Sequence, residues 1–424
     1  MENKGQRGFF TMALLKTVMV FSLACFANVS MLMAQNLKDT ALLKSEVILK
    51  NTFDLASSLN NDLLSHYYFG KSISETSLSA NLGRLKTTNN VLGNFWRTEL
   101  QYKHDYSKNI FGLPNLAYTI DIALNSYQEI AFSKDAFALF FYGNKRFAGE
   151  KANLNNLQFN RQTFYQLKWG LYKKDRPHKM KYGFKLALNL GASLENFNSN
   201  SAYLYTDTAG LYLQLNGQFN ELMTMNKGLG NIQGVGAGVD LFFQKEESNK
   251  YCFRIELNNF GFIRWNKSSK YYSRHENSRF DGLEVSNIFK MPNPLIATTL
   301  NDSLKDYINQ WSKKKSFSTM TPTDVFIKYR YFFKPDWSAS ALFNYRFFSV
   351  YKPFYQLGLN YHHQRYTIGL NANYGGYSKF NMGIDLGMKI CSKFVLKFKS
   401  RYLGAFMPKK FSGVGGFLQA NYIL

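Results

Sequence analysis

Tyr366-Thr367-Ile368-Gly369-Leu370-Asn371-Ala372-Asn373-Tyr374 is the stretch that decides the fold. Tyr366, Ile368, Leu370, Ala372 and Tyr374 form one set of alternate residues, and Thr367, Gly369, Asn371 and Asn373 form the other. A period of two is the signature of a strand with one apolar and one polar face. The apolar face is aliphatic in the middle and carries tyrosine at both ends. A soluble sandwich has no reason to place tyrosine at both ends of a buried face. A lipid-facing band between two aromatic girdles does.

Other segments repeat the pattern. Tyr182, Phe184, Leu186, Leu188 and Leu190 alternate with Lys181, Gly183, Lys185, Ala187 and Asn189. Tyr118, Ile120, Ile122 and Leu124 alternate with Thr119, Asp121, Ala123 and Asn125, and Leu211, Leu213 and Leu215 with Tyr212, Gln214 and Asn216. The chain ends on Phe417 to Leu424, where Leu418, Ala420, Tyr422 and Leu424 share a face, as a strand that closes a first-to-last seam should. Candidate strands of the same kind are Phe95–Tyr106, Ala136–Phe147, Phe159–Tyr172, Gly234–Gln244, Tyr251–Trp265, Asp324–Phe333, Ser338–Ser349, Phe354–His363, Phe380–Lys389 and Phe394–Tyr402, with Ser77–Leu85 weaker. The expected fold is all-β: a transmembrane antiparallel barrel of about 14 strands, within about 12–16.

Two stretches break the rhythm. Residues 35–76 read as irregular and partly helical, a plug or periplasmic segment ahead of a barrel over 77–424. Residues 266–322 read as an insertion. Within it Leu300, Leu304, Tyr307, Ile308 and Trp311 share one face of an expected helix, Asn301 to Lys315, ending in three lysines.

Composition agrees with a barrel. Of 424 residues 17% are aromatic, with 30 glycines and only 8 prolines, and no linker divides the chain. Mean hydropathy of −0.30 excludes a helical membrane protein but not a barrel, whose lumen is polar. Lys4, Arg7 and Lys16 precede the apolar run Val18 to Ala27, and Ala34 stands before Gln35, so residues 1–34 are expected to be a cleaved signal peptide. Cys25 after Ser22-Leu23-Ala24 leaves a lipoprotein reading open. Removing residues 1–34 takes three basic side chains and Glu2 from a net charge of +24 and leaves +22. The basic residues are scattered rather than gathered on one face, which argues against nucleic acid and for the phosphates of outer-membrane lipids, lipopolysaccharide included, as the anionic partner. Cys252 and Cys391 make neither a disulfide scaffold nor a metal module.

A search for chemistry yields no catalytic, cofactor-binding or metal site. Gly234, Gly236 and Gly238 are followed by more strand instead of the helix a nucleotide-binding turn needs. His362 and His363, as strand neighbours, point to opposite faces and cannot chelate together. Lys328 and Arg330 share one face of a strand whose other face carries Ile327, Tyr329 and Tyr331, which is ordinary barrel wall.

Several motifs resemble one family. Ser133 to Asn144, containing Asp135, Phe137, Leu139, Phe141, Gly143 and Asn144, is similar to a family strand and is followed by Phe147-Ala148-Gly149. Leu204-Tyr205-Thr206-Asp207 with Gly210 to Leu213, Gly236 to Leu241 with Asn259 to Trp265, and Phe280-Asp281-Gly282-Leu283 also fit, although Asn259-Phe260 stands where the family tends to have Asp-Leu-Gly. The motifs resemble uncharacterised outer-membrane barrels of Bacteroidetes-type bacteria, distantly similar to long-chain fatty-acid transporters. The resemblance implies an outer-membrane, non-enzymatic barrel that takes up or captures a hydrophobic small molecule, with an apolar lumen pocket and a lateral opening where a strand kinks. The alternative is a structural or accessory envelope component, partner to a secretion or surface-protein machine, with a lumen filled by side chains. A lipid-modifying barrel enzyme ranks third. On the proposed lumen face Lys181, Lys185, Asn189, Gln214, Asn371 and Asn373 are polar, which weighs against a greasy channel.

Overall fold

The computed structural model describes residues 45–68, 70–105, 115–175, 177–225, 230–247, 250–281 and 312–424. Fourteen antiparallel strands close into one barrel. In chain order they are β1 (Ser45–Ser57), β2 (Asn90–Asp105), β3 (Leu116–Phe132), β4 (Gln158–Asp175), β5 (Met180–Thr206), β6 (Gly234–Glu247) and β7 (Tyr251–Trp265). The second half is β8 (Thr323–Lys334), β9 (Trp337–Phe347), β10 (Lys352–His363), β11 (Tyr366–Gly376), β12 (Asn381–Lys389), β13 (Phe394–Ser400) and β14 (Val414–Ile423). The seam is β14 on β1, in register from Glu46 opposite Ile423 to Leu55 opposite Val414. Closure leaves the ring no free edge, so the first and last strands satisfy each other's backbone groups.

The alternation does what the sequence predicts. Leu370 (56% exposed), Leu357 (67%) and Ile122 (58%) face outward, while Asp121, Asn125 and Asn189 face inward and are fully buried. This is a soluble protein turned inside out. β6 and β7 crowd so closely that a Cβ on Gly236 would lie 1.8 Å from the Phe262 carbonyl oxygen, so this glycine serves wall packing.

The two ends differ. Both termini of the barrel lie at one end, called here the terminal end, where residues 335–336, 364–365 and 390–393 make short turns. The opposite end carries the long connections, 58–89, 133–157, 207–233, 266–322 and 401–413. There β5 leaves its barrel partner: Met180 to Gly191 pair with β6, whereas Glu195 to Thr206 pair with an extra strand, Leu213–Met223, which pairs in turn with Lys270–Phe280.

Four expectations need correction. The barrel begins at Ser45, not at residue 77. β1 was hidden because Asn51 sits on its outer face and Ile48 on its inner face, which blurs the alternation. The rest of the supposed N-terminal segment forms helices α1 (Asn61–Tyr68) and α2 (Glu75–Arg84) at the long-loop end, tied to the last connection by Asn61 N–H to Phe411 O (3.0 Å) and Asn61 Nδ2 to Gly413 O (2.9 Å). Ser77–Leu85 is therefore helix rather than strand, capped by Ser74. Ala136–Phe147 is likewise not a strand: α3 (Lys134–Tyr142) starts at Ser133, whose Oγ accepts the Ala136 N–H at 2.9 Å, and its buried Phe137 and Ala138 pack in a cluster with Leu59, Leu63 and Leu82. In the 266–322 insertion residues 301–311 of the expected helix lie outside the described residues, and Lys313–Lys314 are extended, pairing with Lys270 and Tyr271.

Candidate functional site

The inward faces of the fourteen strands build the site. Their side chains fall into three levels along the barrel, set by each residue's distance from the strand ends.

At the long-loop end, Arg346 of β9 crosses the lumen. Its guanidinium stacks 4.5 Å from the Phe95 ring of β2, 4.9 Å from Tyr127 of β3 and 4.8 Å from Tyr351. β9 and β2 stand seven strands apart in a ring of fourteen, so this contact joins opposite walls. Arg346 Nε donates to Asp324 Oδ1 (3.0 Å) and Nη1 to the Tyr377 hydroxyl (3.1 Å). Tyr377 in turn donates to Glu129, as does Ser349. Beside this hub Arg401 reaches Asp54 (3.4 Å) and the Tyr351 hydroxyl (3.2 Å), and Tyr402 donates to Asp54. Guanidinium groups suit such a place because they stack on aromatic faces while still donating in their own plane.

The backbone aims these groups. Gly375 (φ 99°) and Gly376 (φ 69°) take a left-handed turn that delivers Tyr377 into the lumen. Gly93 on the facing wall leaves room for its ring, since a Cβ there would lie 2.2 Å from Tyr377. On the surface of this end Lys379 donates to Arg84 O (3.2 Å); partial burial, together with the charges of Arg84 and Lys86, holds its ammonium pKa below the ordinary lysine value.

The middle level is a polar lattice. Lys168 is completely buried and donates to Asp240 (2.6 Å) and Asn259 (2.9 Å). Asn259 adopts φ 62°, a conformation that asparagine tolerates, beside a register shift in the ladder between Val239 and Leu241, and its N–H then meets Asp240 at 2.7 Å. Asn125, Gln166 and Asn189 bond in series at 2.9 Å each, and Lys185 pairs with Asp121. Sealed charges of this kind hold only when each has its partner.

The terminal level is open. Lys50 (30% exposed) pairs with Glu99 (2.8 Å), but Lys328, Arg330 and Lys397 have no acidic partner among the described residues.

A second seam is apolar. Phe95 and Tyr127 continue into Phe164, Leu194, Ile263 and Trp265, one buried cluster that ends where β5 parts from β6. That interruption is bridged by backbone and side chain together: Gln233 donates from N–H to Gly191 O and from Nε2 to Ala192 O (2.7 Å each), while Thr224 N–H donates to Leu194 O (2.9 Å) and its Oγ1 accepts from Leu194 N–H (3.0 Å).

Of the expected lumen residues, Lys185, Asn189, Asn371 and Asn373 line the lumen, while Gln214 lies in the extra sheet, bonded to Asn277 (3.1 Å), and Lys181 sits at the terminal rim. His362 turns inward to Ser338 (2.9 Å) and Thr367 (3.1 Å), whereas His363 lies outward beside Tyr361. Ser338 is fully buried, and the ring nitrogens of His362 are taken up by Ser338 and Thr367 on the two neighbouring strands, so this pair ties strands together. The sequence did not single out Arg346, Glu129, Asp324 or Tyr377. For Arg346, Glu129 and Asp324 the one signal is charge on the inner face near strand ends, whereas Tyr377 lies just past its strand and carries none.

These features define the class as a closed barrel with an apolar exterior and a charge-filled lumen. The chain belongs to a family of unknown function, DUF5723, whose model matches residues 50–396. No curated protein matches the sequence. Among solved structures it is similar to a TodX deltaS2S3 mutant monoaromatic hydrocarbon channel (8% identity, 91% of each chain, TM-score 0.41). It is also similar to the Ralstonia pickettii toluene transporter TbuX (8% identity, 91% of this chain and 90% of that one, TM-score 0.41). A Pseudomonas aeruginosa FadL homologue gives 8% identity over 90% of each chain, with a TM-score of 0.39. Likeness at this level says nothing about cargo.

Proposed function

We propose that the protein is a non-enzymatic outer-membrane barrel that captures or passes a hydrophobic small molecule, its lumen held shut in the state described. Residues 1–34 serve as its export signal, and the terminal end, with its short turns, faces the periplasm as in other barrels of this kind. The observation that supports the reading is the apolar seam: a packed cluster runs from the Arg346 hub to the interruption between β5 and β6, and its side chains would have to part for a greasy molecule to pass beside the polar lattice. Gln233 and Thr224 are the catch on that route.

A cysteine staple tests it. In Ala192→Cys/Gln233→Cys, oxidation should reduce cellular uptake of a radiolabelled hydrophobic probe such as toluene by about tenfold, and reduction should restore it. Uptake indifferent to the redox state of a staple that demonstrably forms would sink the reading. The filled lumen favours a second reading, a structural or accessory envelope component whose partner is a secretion or surface-protein machine. That role predicts no uptake defect in a deletion strain and loss of a co-purifying envelope protein instead.

A further inference from the structure

We infer that the terminal half of the lumen is an anion-binding vestibule that takes a phosphate group, with Lys328, Arg330 and Lys397 as its ligands. The inference goes beyond the proposed function and stands without it, because it concerns the lumen and not the apolar seam.

Ladder register places the residues. Arg254 of β7 lies opposite Lys328 of β8, and Arg330 lies opposite Cys252 and Ser340, all on the inner face. On the facing wall Lys397 and Lys399 of β13 stand opposite Gly387 and Asp385 of β12. The two walls feel each other: the charge on Lys328 interacts with those of Lys399, Arg330 and Asp385, and Lys397 with those of Lys399, Arg330, the more distant carboxylate of Glu46, and Arg254. Two of the five cations are neutralised, Arg254 by Glu256 and Lys399 by Asp385 (3.2 Å). The other three have no acidic partner among the described residues, and Arg330 Nε is buried without a hydrogen-bond acceptor.

Elsewhere in this lumen charges are matched. Lys168, Lys185, Arg346 and Arg401 each have a carboxylate. Three cations without an ion pair around one partly wetted chamber repel one another, and the field they focus draws anions in. Two lysines and an arginine around one space suit tetrahedral phosphate, which accepts from ammonium point charges and a guanidinium fork together. The phosphate can belong to a free solute or to a lipid headgroup entering from the terminal end.

The test uses the full barrel in zwitterionic detergent, titrated with inorganic phosphate, and the same barrel in phosphatidylcholine nanodiscs with and without phosphatidic acid. Wild type should bind at least one of the two, more weakly as salt rises. Lys328→Gln/Arg330→Gln/Lys397→Gln should lose about tenfold or more in affinity while keeping heat-modifiable gel mobility. If that variant fails to fold, Lys397→Gln alone, at an exposed position, should still lose a measurable share. Inorganic phosphate binding assigns a free solute, and binding of phosphatidic acid alone assigns a headgroup. Absence of both, or equal binding by the folded variants, overturns the inference.

Discussion

Compare the long-loop and middle levels of the lumen with its terminal level. In the former, each principal cation has a carboxylate partner: the buried Lys168 with Asp240, the buried Arg346 with Asp324, and the half-buried Arg401 with Asp54. In the latter, cations are partly wetted and three are unmatched. Both are lined by the inner faces of the same strands, so fold alone does not explain the contrast. Matched charges make a septum, because each pair fixes its side chains on the wall and neither member can leave without stranding the other, while Arg346 reaches on to Phe95 of the opposite wall. Unmatched charges in contact with water make a chamber that is ready for an external ion.

The comparison breaks first where burial is deepest. Asp240→Ala leaves the Lys168 ammonium sealed and alone, so unfolding stability in urea should fall by about 3–5 kcal/mol. Adding Lys168→Met should recover much of the loss, since a matched apolar pair replaces a matched ionic one. A loss below about 1 kcal/mol for the single variant would mean that water reaches this level, contrary to its burial.

Arg346→Ala removes a side chain that joins the walls of β9 and β2. Wild type in planar bilayers should show no steady conductance through the lumen, and the variant should show discrete open events. A wild-type barrel already open would dissolve the distinction between septum and chamber. Gly93→Ala sharpens the same point without touching a charge. The added Cβ displaces Tyr377 and should cost about 1–3 kcal/mol through overpacking, with weaker flickering openings than Arg346→Ala. The smallest effect belongs to the chamber: Lys397→Gln should leave stability within about 0.5 kcal/mol of wild type, because nothing there depends on its charge. A large loss would show Lys397 to be part of the septum.

How far the molecule was legible follows from where the physics acts. The wall strands β3, β4, β5 and β11 were legible because each of their residues faces either lipid or lumen, and that choice is written in every second letter. α3 misled because Ala136-Phe137-Ala138-Leu139-Phe140-Phe141 is apolar at every position, so period carries no information. Its identity rests on the Ser133 cap and on a buried cluster that only tertiary contact supplies. β1 misled for the opposite reason: it shares its outer face with a polar residue.

The sequence by itself determined that this chain forms a β-barrel with an apolar exterior and a polar interior, since a two-residue period needs no knowledge of any partner. Tertiary structure decided which interior residues meet. Arg346 and Phe95 are 251 residues apart, and nothing local couples them. Their contact exists because closure at the β1–β14 seam and the stagger of the fourteen strands bring them to the same height on opposite walls.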